Sequence, residues 1–68
     1  MLADMVPDAW VYRRAVRLIE QHGGDALLVA TGLVAMAMKR RQQERALLML
    51  RIRTAVEALQ APPAGPPN

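Results

Sequence analysis

HGGDALLVATGLVAMAM, residues 22 to 38, is the stretch whose reading decides the fold. Gly23 suits the left-handed conformation that closes a helix, and Asp25 stands where a carboxylate caps the first amides of the next one. From Ala26 to Met38 the chain runs for 13 residues without a charge, relieved only by Thr31 and Gly32. That is short of the roughly 20 apolar residues a membrane-spanning helix needs. A helix that is apolar on every side is normally enclosed by neighbours, so the stretch predicts a buried second helix.

Upstream, Pro7 stops a helix from continuing backwards and Asp8 stands ready to cap its start, so helix 1 is predicted from Ala9 to His22. Val11, Ala15, Leu18 and Ile19, flanked by Tyr12 and Val16, recur at the spacing of one helical face. Arg13, Arg14, Arg17, Glu20 and Gln21 form the opposite face, and Trp10 falls among them. Downstream, Leu33 to Gln60 contains no Gly, Pro, Asn, Asp or Ser to punctuate the chain. One continuous helix from Ala26 to Gln60 would reach roughly 50 Å, more than helix 1 could cover. A break costs least in the polar run Lys39 to Arg45, near Arg41, and gives helix 3 from about Gln43 with Leu48, Ile52, Ala55, Val56 and Leu59 facing inward. The expected architecture is all-α: an N-terminal extension over 1–8, a three-helix unit over 9–60 whose second and third helices are either separate or continuous, and a disordered Pro-rich tail over 61–68.

Composition narrows function. A chain of 68 residues without cysteine has neither a disulfide framework nor thiolate metal ligands to support a small core, which leaves dense packing or oligomerisation. Catalysis needs a nucleophile, an acid–base group or a metal in a pocket. Here there is no Ser or Cys, the single His22 ends a helix, and the single Lys39 lies in a charged run. No enzyme, cofactor or metal site is expected. The start of the chain, with Asp4 and no basic segment before an apolar run, is unlike a secretory signal, and the expected location is cytoplasmic.

Three short motifs resemble those of a family of small uncharacterised proteobacterial helical proteins. They are Tyr12, Arg13 and Ala15; then His22, Gly23, Asp25 and Ala26; then Arg51, Ile52, Val56, Glu57, Leu59 and Gln60. The similarity covers residues 10 to 60, and a Pro-containing tail ending in Asn68 is also like the family. The resemblance implies a three-helix unit with a Gly-Asp turn between helices 2 and 3, where this chain has Arg41 and Gln42. It also implies a polar face where helix 2 here carries Gly32, Leu33, Ala35 and Met36, and a Trp where helix 3 has Met49. No activity comes with the family.

Three surfaces are candidates for recognition. The stripe Val29, Gly32, Leu33 and Met36 is Met-containing and apolar, and three short helices cannot cover every side of helix 2, so it is read as an interface. Trp10 is read as a cation–π partner of Arg13 and Arg14, or as a lid over the core, or as an anchor for a partner. The formal charge is +3, and it is uneven: Lys39, Arg40, Arg41, Arg45, Arg51 and Arg53 stand against Glu44 alone, six minus one or +5, in that stretch. Such a cluster neutralises phosphates, with Lys39, Arg40, Arg41 and Arg45 as the candidate patch. No aromatics interleave with it, however. The expectation is a non-enzymatic helical interaction module, a homo-oligomer or the partner of another protein, with a basic nucleic-acid-associated regulator as the alternative.

Overall fold

The structure is a computed structural model that describes residues 5–61. Between Asp8 and Gln60 lie three α-helices, α1 (Asp8–His22), α2 (Ala26–Lys39) and α3 (Gln43–Gln60), with a 3-10 turn over Gly23–Asp25. The described residues contain no strand. The proline-rich stretch after Ala61 and the first four residues of the N-terminal extension lie outside the described residues.

Both aspartate caps are corrected by the backbone around them. Pro7, at φ −62° and ψ 147°, is the residue that precedes α1, and its carbonyl accepts from the amides of Trp10 and Val11 at 3.0 and 3.2 Å. Asp8 is already inside the helix, and its carboxylate makes no cap hydrogen bond there. Asp25 does precede α2, but at φ −89° and ψ 0° it lacks the extended backbone that aims a capping side chain at the first-turn amides. It makes no cap hydrogen bond either. The Ala26 amide instead bonds the Gly23 carbonyl, so the 3-10 turn runs straight into α2. Gly23 itself has the expected positive φ of 55°, and its amide closes α1 on the Ile19 carbonyl.

The second break is real and is built from backbone alone. Arg41 takes φ 57°, its amide bonds the Met38 carbonyl at 3.0 Å, and the Gln42 amide bonds Ala37 at 2.9 Å. This paired arrangement is the Schellman motif, in which the left-handed position is usually glycine. The chain then reverses, and the Gln42 carbonyl accepts from Ala46 at 2.8 Å to start α3.

α2 and α3 pack together more extensively than any other pair, and α1 packs more on α3 than on α2. One core cluster joins Val11, Ala15, Ala26, Ile52, Ala55 and Val56 across the three helices. Ala30, Val34, Ala37 and Ala46 are buried as well, so among the described residues six of the ten buried ones are alanine, and small side chains let the helices approach closely. The enclosure expected of α2 does not occur. It buries only Ala26, Ala30, Val34 and Ala37, while Leu28 and Met38 are 72 % and 64 % exposed. On α3, Leu59 faces outward rather than in.

Candidate functional site

Polar side chains on α3 tie the helices together. The Arg51 guanidinium donates to the Val6 carbonyl at 2.8 Å and to the Asp8 carboxylate at 2.7 Å, which clamps the entry to α1. Arg53 donates to the Thr31 hydroxyl at 2.9 Å and reaches Glu57 at 3.5 Å. The Thr31 hydroxyl in turn donates to the Leu27 carbonyl at 2.8 Å, so the side chain that interrupts the apolar run is a point where α2 and α3 are hydrogen-bonded. Gln60 donates to the Gly23 carbonyl at 2.8 Å and holds the end of α3 against the first turn. Two arginines of the basic stretch are therefore engaged within the fold. Lys39, Arg40, Arg41 and Arg45 remain exposed around the α2–α3 turn.

The stripe on α2 divides in two. Gly32 and Met36 are exposed, whereas Val29 and Leu33 are half-buried, Leu33 in a cleft between the helices. The outward face consists of Leu28, Gly32, Ala35 and Met36, and it ends at Lys39. Leu28 was not part of any surface read from the sequence, and Ala35 entered only through the family resemblance. Lys39 could have revealed them, since a charge at i+4, i+7 and i+11 from Ala35, Gly32 and Leu28 marks the side that meets water. At Gly32 a Cβ would meet nothing within 4 Å, so no neighbour among the described residues requires a glycine there.

Trp10 belongs to a different surface. It is half-buried against the core cluster, and the Arg14 guanidinium lies 4.9 Å from its ring centroid, so the lid and the cation–π contact occur together. It forms one wall of a cleft of about 420 Å³ that all three helices line. Leu33 of α2 and Leu48, Met49 and Ile52 of α3 supply apolar surface, and Arg14, Arg17 and Arg45 line it too. The cleft was not foreseen in the sequence, because its residues come from helices whose relative placement no local pattern records. Chemically it can hold an apolar group beside guanidinium donors. His22 lies outside it, exposed at the last residue of α1.

Among the described residues no group of three His, Asp or Glu is placed to hold a metal ion, and no helix is long and apolar enough to cross a membrane. No family model matches the chain, and no curated protein or solved structure is significantly similar to it.

Proposed function

We propose that this protein is a non-enzymatic helical interaction module of the cytoplasm that associates with a second copy of itself through the outer face of α2. Membership of the proteobacterial family is proposed on the three motifs alone. One observation carries the functional reading: on α2 small residues fill most of the inner side while large apolar ones stand exposed on the outer. The buried core is mostly alanine, while Leu28 and Met36 are 72 % and 51 % exposed on one face of α2. Leaving such a face in water costs about 25 cal/mol per Å² that pairing would recover. Gly32 supports the same reading. A mid-helix glycine costs about 1 kcal/mol relative to alanine, its space is open among the described residues, and close approach of another helix gives it a use.

Sedimentation at tens of micromolar is expected to report a dimer, and Leu28→Glu with Met36→Glu to dissociate it while helix content persists. Leu33 is left intact in that variant because it packs in the cleft. A monomer in the unmodified protein would falsify self-association. The alternative, a nucleic-acid partner, has the exposed Lys39, Arg40, Arg41 and Arg45 in its favour and the internal engagement of Arg51 and Arg53 against it. Submicromolar, steeply salt-dependent binding to random DNA or RNA at physiological ionic strength, lost on neutralising Arg40, Arg41 and Arg45, would favour that alternative.

A further inference from the structure

We infer that the two copies pair α2 against α2 in antiparallel fashion about a two-fold axis at Gly32, so that Asp25 of each meets Lys39 of the partner subunit. The inference rests on the self-association proposed above and adds its geometry. At 3.6 residues per turn Leu28, Gly32, Met36 and Lys39 lie within an arc of roughly 80° around the helix axis, and Asp25, the last residue of the 3-10 turn, directly precedes that helix. All five are exposed. In an antiparallel pair centred on Gly32, each position faces one equally far beyond the centre. Leu28, four before Gly32, then faces the partner's Met36, four after it; Asp25, seven before, faces the partner's Lys39, seven after.

The end charges decide the direction. Asp25 caps nothing, and among the described residues neither it nor Lys39 has an ion-pair partner. A parallel pair in register would set Asp25 against Asp25 and Lys39 against Lys39, and like charges juxtaposed at an interface oppose association. The antiparallel pair matches both ends at once, and its isologous contact closes at two copies. Gly32 stands at the crossing, where two backbones come nearest. Helix faces about 21 Å long and 10 Å wide bury well under the 1,200–2,000 Å² of a standard interface, so the pair is expected to dissociate in the micromolar range.

Because the chain has no cysteine, single-cysteine variants report the register directly. Leu28→Cys and Met36→Cys proteins, mixed and oxidised at tens of micromolar, are expected to cross-link to each other at least about tenfold more than either does to itself, since an antiparallel pair holds two copies of one such position about 12 Å apart along the axis. In the cysteine-free protein, Asp25→Lys and Lys39→Asp are each expected to weaken the dimer about tenfold, and the two together to restore it. A dimer in which Leu28→Cys cross-links to itself as readily as to Met36→Cys, or in which the charge reversals have no effect, would overturn the register and leave self-association standing. A monomer by sedimentation overturns both.

Discussion

Arg41 holds the α2–α3 turn in a conformation that suits glycine better. An L-residue in the left-handed region costs roughly 1–2 kcal/mol, and glycine returns part of that as extra entropy in the unfolded chain. Arg41→Gly is therefore expected to stabilise the protein by about 0.5–1 kcal/mol in urea unfolding, and a loss of stability would show that the arginine side chain makes a contact outweighing its backbone strain. Arg51 presents the opposite case, because its guanidinium bridges Val6 and Asp8 with two nitrogens. Arg51→Met is expected to cost about 1–2 kcal/mol by the same measurement, as it removes a charged donor from a backbone carbonyl. Asp8→Asn should cost less than about 0.5 kcal/mol, since the aspartate side chain is 88 % exposed and solvent screens the pair. Equal losses from the two variants would mean that the ion pair, and not the bond to Val6, anchors the start of α1.

At the scale of the element, α2 is two helices in one. Its inner side, Ala26, Ala30, Val34 and Ala37, is a ridge of small residues that fits α3, while its outer side carries Leu28, Gly32 and Met36, all exposed among the described residues. Gly32→Ala tests the two sides against each other. In a dilute monomer it is expected to raise stability by up to about 1 kcal/mol through helix propensity alone. At tens of micromolar it is expected to weaken association, because the added methyl keeps the helices apart at their crossing. Sedimentation and thermal unfolding of the same variant therefore move in opposite directions if the outer face is an interface, and an unchanged dimer would place the contact elsewhere.

For the whole molecule, a fold with an alanine-rich core is marginal by itself, and the pairing proposed above would contribute what burial inside one chain does not. The unfolding midpoint is expected to rise with protein concentration, as mass action requires when only the folded form associates. A midpoint constant from one to a hundred micromolar would mean that the isolated chain is the stable unit. Much of this fold is legible locally. The helical composition, the apolar run from Ala26 and the glycine at 23 are short-range signals, and they sufficed to place α1, α2 and the first turn. The α2–α3 break was only half-visible, since the backbone bonds that make it leave no required residue at Arg41. Which face of α2 stays bare, why Thr31 interrupts it, and how Trp10 comes to share a cleft with Arg45 depend on where α1 lands across α3. Periodicity names the faces of a helix one at a time, but only packing decides which of them meets another helix and which is left to water.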